Sequence, residues 1–233
     1  MKNIILLHGA LGHTSHFEAY VPETGAGHKV FTPLFSGHGG LPLPTEPLTI
    51  HHYIDELSAL IEREQLDRVH LFGHSMGGYV ALNYALRNPE KVDSVITLGT
   101  KLHWTPEIAA AEEKMLDPER MEEKIPKFAA MLEQLHGHAW KNLVRSVAVL
   151  MRDLGNHPPL TPQTLSSVAV PVKIMLGSLD HMVTSEESEA AARAISGGVF
   201  KLLPDLKHPL EAADPAVILQ EMDEFWGFQK SAL

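Results

Sequence analysis

The chain has 233 residues, a formal net charge of −10 and no cysteine. This length fits one globular domain with room for an inserted subdomain. The acidic balance argues against nucleic acid as a partner, because neutralising phosphates requires clustered Lys and Arg. No segment approaches about 18 consecutive apolar residues, so a membrane-spanning helix is excluded on length. We predict a monomer or small homo-oligomer.

The lack of cysteine removes disulfides, thiolate metal sites and thiol catalysis together. It is compatible with a cytoplasmic location, which we predict, without requiring it. The first apolar run, residues 4–7, is too short for a signal peptide. The 15 histidines raise the question of a metal site, but none stands in His-Glu-x-x-His or another compact ligand spacing. We expect no bound metal.

Six short apolar runs predict strands, in chain order at residues 4–7, 29–34, 68–72, 92–98, 172–176 and about 199–203. Helical patterns separate them, including an apolar stripe at Ile50, Ile54, Leu57 and Ile61, a capping box at Thr184 and Glu187, and a helix start at Asp214-Pro215. The alternation predicts a three-layer α/β/α fold, in which helices cover both faces of a mostly parallel sheet.

Residues 101–167 break this alternation, because they contain helical patterns and no convincing strand. Helix starts are predicted at Thr105-Pro106 and Asp117-Pro118. Helix ends are predicted at Gly137 and Gly155, and Pro126 should interrupt or kink the helix in which it falls. We therefore predict a core made of residues 1–100 and 168–233, with a helical cap inserted at 101–167.

Four of the nine methionines lie in the predicted cap: Met115, Met121, Met131 and Met151. Methionine fills irregular apolar space and adapts to varied shapes. These side chains either pack the cap onto the core or line an apolar binding pocket.

The segment Gly73-His74-Ser75-Met76-Gly77-Gly78 satisfies the pattern Gly-x-Ser-x-Gly. It follows a predicted buried strand directly and opens a helical pattern, which is the context that gives the motif meaning. The sharp turn forces the serine into a strained backbone geometry, and the glycines keep side chains from colliding. The hydroxyl is then exposed at a helix N-terminus, where developing negative charge is favoured. Ser75 is our candidate nucleophile.

A serine hydroxyl needs a base to take its proton. In proteins with this turn, an acid and then a histidine follow the nucleophile in the chain. Asp180, in the loop after the fifth strand, is the predicted acid, with Asp153 and Asp205 as alternatives. His208, between the last strand and the last helix, is the predicted base, and His181 is its main competitor. The acid would hold the tautomer of the imidazole.

A tetrahedral intermediate also needs backbone donors for its oxyanion. We predict that one is the N–H of Met76, directly after the nucleophile. The other should come from the loop that follows the first strand, where we assign Ala10, with Leu11 as the alternative.

These residues together resemble the α/β-hydrolase superfamily over essentially the whole chain. The matching segments are His8-Gly9-Ala10, Ser36-Gly37-His38-Gly39, the Ser75 motif, Asp180 and His208. The motif Gly-His-Ser-Met-Gly-Gly, together with His-Gly-Ala, is similar to small carboxylesterases and monoacylglycerol-lipase-like serine hydrolases. The resemblance implies hydrolysis of an uncharged small-molecule ester with an apolar acyl or alcohol part, without a cofactor. It also implies that residues 101–167 are the helical lid of the family.

Among the departures from the pattern of that superfamily, two bear on the structure. The sequence begins at what would be the third family strand, so we expect the first antiparallel hairpin to be missing. Lys207 stands before His208 where the family often has glycine, and we expect its ammonium to point to solvent.

The motifs leave three functions open. The first is an esterase or lipase-like hydrolase that forms an acyl-enzyme. The second uses the same three residues for carbon–carbon bond hydrolysis, thioester hydrolysis or a lyase step, because the pocket and not the fold decides the reaction. The third is a ligand-binding protein with slow turnover.

Overall fold

The computed structural model describes residues 1–25 and 27–227, and a six-stranded sheet forms its centre. The strands are β1 (Asn3–Leu7), β2 (Lys29–Phe31), β3 (Val69–His74), β4 (Val92–Leu98), β5 (Val172–Gly177) and β6 (Val199–Leu203). They lie in the order β2-β1-β3-β4-β5-β6, and each pair of neighbours is parallel. The predicted parallel sheet is confirmed.

Helices cover both faces of the sheet and fill the connection between β4 and β5. They are α1 (Val21–Thr24), α2 (Ile50–Arg63), α3 (Met76–Arg87), α4 (Pro106–Glu113), α5 (Pro118–Lys124), α6 (Pro126–His136), α7 (Trp140–Asn156), α8 (Pro162–Leu165), α9 (Ser185–Ala194) and α10 (Pro215–Trp226). Short 3₁₀ turns lie at Thr14–Phe17, Pro89–Lys91, Gly137–Ala139 and Leu210–Ala212. We call residues 101–167, which hold α4 to α8, the helical segment. Within the described ranges, no helix has the length and apolarity needed to cross a bilayer.

Capping side chains begin several helices where the sequence predicts them. Asp117 and Asp214 accept backbone N–H groups at the starts of α5 and α10. Thr184 and Glu187 form the predicted capping box at α9. Pro126 separates α5 from α6, because it has no N–H to continue the first of these helices. Local sequence therefore sets these boundaries.

Two predicted boundaries are wrong, each for a local reason. β2 ends at Phe31 and not at residue 34, because Pro33 has no N–H with which to pair with β1. Gly155 does not end a helix but lies inside α7. A Cβ at Gly155 would come within 2.4 Å of the Ala109 Cβ, so this glycine permits the close packing of α7 on α4.

Successive side chains of the strands enter different core clusters, because neighbouring residues of a strand point to opposite faces. Ile5 and Leu7 pack with side chains of α2 and α3 on one face. Ile4 and Leu6 pack with side chains of α10 on the other. A third cluster consists of Leu11 and buried residues of the helical segment, namely Met121, Ala129, Leu132, Trp140, Leu143, Val144 and Val147. Burial on both faces explains the uninterrupted apolar runs.

Candidate active site

Ser75 lies at the turn between β3 and α3, with φ 51° and ψ −119°. A residue with a side chain is strained by about 1–3 kcal/mol in such a sparsely populated conformation. The Ser75 N–H donates to the Leu98 carbonyl at 2.8 Å, and the Ser75 carbonyl accepts from Thr100 Oγ1 at 2.9 Å. The end of β4 therefore holds the strained turn that the motif predicts.

Gly73 and Gly77 of the motif have no room for a side chain. A Cβ on Gly73 would lie 2.3 Å from the Gly78 nitrogen. A Cβ on Gly77 would lie 2.2 Å from the Leu7 carbonyl oxygen. The glycines thus allow α3 to start directly against β3 and β1, which brings the Ser75 hydroxyl above the sheet.

The structure brings Ser75, His208 and Asp180 together in one hydrogen-bonded row. His208 Nε2 lies 3.2 Å from Ser75 Oγ, and His208 Nδ1 lies 2.7 Å from Asp180 Oδ2. The three residues follow β3, β6 and β5, whose carboxyl ends share one edge of the parallel sheet. An ionised carboxylate only accepts, so Nδ1 carries the proton and Nε2 is left to accept from the serine hydroxyl.

The Asp180 carboxylate accepts hydrogen bonds from backbone amides as well as from His208. Its Oδ1 accepts the N–H groups of Met182 at 2.8 Å and Val183 at 3.0 Å, and its side chain is only 1% exposed. Burial alone would raise the pKa of Asp180, but the hydrogen bonds from His208 and from the two amides outweigh it and lower the pKa. The carboxyl group is therefore ionised at neutral pH.

The competing residues lie elsewhere. Asp153 faces His157, with its Oδ1 at 3.1 Å from His157 Nδ1. Asp205 is exposed, and its N–H donates to Ser178 Oγ. His181 is exposed, whereas the His208 side chain is 14% exposed. None of the three joins the row at Ser75.

The two predicted oxyanion donors both border the space over Ser75, since Ala10 and Met76 line the same cleft as the serine. The alternative donor, the Leu11 N–H, already donates to His38 Nε2 at 3.2 Å. Among the described residues, the Ala10 N–H has no acceptor. This difference favours Ala10 over Leu11.

Two residues that support the row were not predicted as site residues. His74 Nε2 donates to the His208 carbonyl at 2.8 Å and so ties the serine turn to the histidine loop. Gly99 has φ 61°, and a Cβ there would lie 3.1 Å from Asp180 Oδ2 and 3.2 Å from His208 Nδ1. In the sequence, Gly99 marks only the end of a strand.

A cleft with about 490 Å³ of empty volume, counted to its open mouth, lies over Ser75 and His208. Its lining is mostly apolar and includes Tyr79, Trp104, Leu150, Met151, Leu154 and Val183. The ion pair between Lys101 Nζ and Glu112 Oε1, at 3.3 Å, also lines it. Of the four methionines of the helical segment, Met151 alone lines the cleft, while Met121 is buried in the third cluster and Met115 is 57% exposed.

Buried histidines next to the site should make folding sensitive to acid. Burial lowers the pKa of His38 and that of His74 to about 3, from the ordinary 6.5. As the pH falls below 6.5, the histidines bind protons in the unfolded chain but stay neutral in the folded chain. The free energy of unfolding should therefore fall, with a slope that approaches roughly 1 kcal/mol per pH unit for each histidine. Urea unfolding at pH 7.5, about 6 and about 5 measures the effect. A free energy that stayed constant over this range would contradict it.

Comparison with known proteins finds relatives that are named as esterases. The putative esterase/lipase 3 of Mycoplasma pneumoniae is 35% identical over 100 residues, which are 42% of this chain and 36% of that protein. The carbendazim hydrolyzing esterase of Nocardioides sp. is 37% identical over 100 residues, which are 42% of this chain and 41% of that protein. The matches to these relatives thus span well under half of their length.

The chain is also similar to a solved structure and matches a protein family. The thermophilic esterase from Thermogutta terrifontis, with malate bound, matches with a TM-score of 0.79 at 22% identity, over 97% of this chain and 90% of that chain. The likeness shows a shared fold. Residues 4–221 match the family described as the alpha/beta hydrolase family, which confirms the resemblance seen in the sequence. The chain belongs to the α/β-hydrolase family.

Proposed function

We propose that the protein is a serine hydrolase that cleaves a carboxylic ester with an apolar acyl or alcohol part through an acyl-enzyme. The observation that carries the proposal is the hydrogen-bonded row of Ser75, His208 and Asp180 beside a mostly apolar cleft. The names of the relatives, which include esterases, favour an ester over other acyl compounds.

In the proposed reaction, Ser75 Oγ attacks the ester carbonyl carbon while His208 Nε2 takes the hydroxyl proton. His208 then gives this proton to the leaving alcohol oxygen as the carbon–oxygen bond breaks. Asp180 keeps the proton on Nδ1 and stabilises the imidazolium. In the second half, water attacks the acyl carbonyl carbon while His208 Nε2 takes a proton from the water. His208 then gives this proton to Ser75 Oγ as the bond between the acyl carbon and Ser75 Oγ breaks, which releases the acid.

The N–H groups of Ala10 and Met76 would stabilise the negative oxygen of each tetrahedral intermediate. Met76 is the first residue of α3, so the partial positive charge of that helix end favours the same oxygen. Their place in the cleft beside Ser75 supports this assignment.

The cleft itself favours an uncharged substrate. Lys101 and Glu112 compensate each other, and the Lys101 ammonium also donates to the Met182 carbonyl at 2.5 Å. Neither of these two charged groups is therefore left unpaired to bind a charged substrate. Side chains of the helical segment line one part of the cleft, which supports a lid role for residues 101–167.

A panel of p-nitrophenyl esters with acyl chains of increasing length tests the substrate class. We expect activity to peak at one length and to fall for longer chains, because the cleft has a finite empty volume. If no ester were cleaved while a fluorophosphonate still labelled Ser75, the ester class would be wrong. Carbon–carbon or thioester hydrolysis, or a lyase step, would then take its place.

Gly99→Ala should lower kcat about tenfold or more, because the new Cβ must push the Asp180 carboxylate or the His208 ring out of line. Gly197→Ala is the matched control. Gly197 also has a positive φ, 73°, but a Cβ there meets nothing within 4 Å. Both variants should lose about 1–2 kcal/mol of stability from the left-handed backbone, so equal kcat values in the two would contradict the prediction.

A further inference from the structure

His136 is a buried histidine of the helical segment that reaches across to the loop carrying Ala10. It ends α6, and both of its ring nitrogens are engaged. Nε2 donates to the Leu11 carbonyl at 3.0 Å, and Nδ1 accepts the Gly39 N–H at 3.0 Å. The ring must be neutral to make both bonds, and burial, the largest influence, lowers the pKa of His136 accordingly.

Leu11 is the strained point of this loop, with φ 56°. Its N–H donates to His38 Nε2 at 3.2 Å, while its carbonyl accepts from His136. A residue with a side chain keeps such a conformation only where its surroundings hold it. His38 therefore holds Leu11 from the core, and His136 holds it from the helical segment.

The hydrogen bond from His136 to the Leu11 carbonyl is the first of a series that reaches the Ala10 N–H through two peptide groups. The Leu11 carbonyl shares its peptide group with the Gly12 N–H, which donates to the Gly9 carbonyl at 3.0 Å. The Gly9 carbonyl in turn shares its peptide group with the Ala10 N–H. The same Gly9 carbonyl also accepts from His8 Nδ1 at 2.9 Å. In a trans peptide group the N–H points away from the carbonyl, so a carbonyl fixed on one side aims the N–H on the other.

We infer that His136 is a positioning residue whose Nε2–H starts a hydrogen-bonded chain, through the peptide groups 11–12 and 9–10, that orients the Ala10 N–H for the oxyanion. Hydrogen bonds in series also polarise one another and so strengthen the last donor. The position of α6 on the core then determines the orientation of the Ala10 N–H in the oxyanion site. This inference depends on the hydrolase chemistry proposed above and adds a residue to it.

Two amide variants separate this role from simple anchoring of α6. His136→Gln places an amide N–H near the position of Nε2 and keeps the bond to Leu11. His136→Asn is shorter, so it can accept from Gly39 but cannot reach Leu11. We expect His136→Asn to lower kcat about 10- to 100-fold with KM within about twofold, since a misplaced oxyanion donor weakens the transition state and not substrate binding. His136→Gln should stay within about threefold of the parent kcat.

A trifluoromethyl ketone reports on the oxyanion directly. Ser75 Oγ bonds to the ketone carbon, the hydroxyl proton passes to His208 Nε2, and the carbonyl π electrons become a negative charge on oxygen. We expect its affinity to fall in His136→Asn by the same factor as kcat. His138→Gln, at a fully exposed neighbour, should match the parent in every measurement.

Each result decides between the two roles. A parent-like kcat and ketone affinity in folded His136→Asn would overturn the inference, and so would equal losses in the Asn and Gln variants. A loss of kcat without loss of ketone affinity would also overturn it. A parent protein that no fluorophosphonate labels would instead overturn the proposed function, so the two failures can be told apart.

Discussion

Ser75→Ala should lower kcat by about 10⁴- to 10⁶-fold, because in the proposed mechanism the three residues of the row act as one unit and Ser75 begins the reaction as the nucleophile. The residual rate would come from the oxyanion donors and from substrate binding. Labelling by a fluorophosphonate should disappear completely, since this probe bonds to the activated serine oxygen. Initial rates on the best ester of the panel, together with labelling, measure both effects.

Ser167→Ala is the matched control for this variant, because Ser167 is exposed in the helical segment. It should keep the parent rate and the parent labelling. Retention of most activity in Ser75→Ala, with an unchanged circular dichroism spectrum, would show that another group is the nucleophile.

Asp180→Asn should lower kcat by about 10⁴-fold, as in other Ser-His-Asp sites. The asparagine amide can donate to His208 Nδ1, which then has to accept, so the proton moves to Nε2. Nε2 can no longer take the Ser75 proton. The fold should persist, because Asn keeps an oxygen that accepts from Met182 and Val183. The value of kcat/KM across a pH range measures the loss.

Asp205→Asn and Asp153→Asn test the alternatives and serve as controls. Asp205 is exposed and Asp153 faces His157, so both variants should keep the parent rate within about threefold. A severe loss in either one, with an active Asp180→Asn, would move the acid to that position.

The sequence predicts the parts of the site that depend on local patterns. The Ser75 turn is recognised because strand, glycine motif and helix follow one another within a short stretch, and the structure has this order in β3 and α3. The candidates Asp180 and His208 are placed by chain order after the fifth and sixth strands. The apolar runs predict six strands, and the errors, such as the end of β2, lie at their boundaries.

The supporting residues could not be predicted, because their contacts join distant parts of the chain. His74 meets the His208 carbonyl across 134 positions, and His136 meets the Leu11 carbonyl across 125. No spacing pattern in the sequence indicates that a histidine in a helix, or one beside a serine, makes such a long-range hydrogen bond. The glycine at 99 is ambiguous for the same reason, since only the folded structure places the acid and the imidazole beside it.

The third core cluster has a consequence for engineering this protein. Among its buried members, Leu11 is the single residue from outside the helical segment, and the same residue accepts the hydrogen bond from His136. A chimaera that takes residues 101–167 from another member of the α/β-hydrolase family would therefore need a donor whose counterparts of Leu11 and His136 fit each other. Grafts chosen by overall similarity, without attention to this pair, should produce folded proteins that turn over slowly.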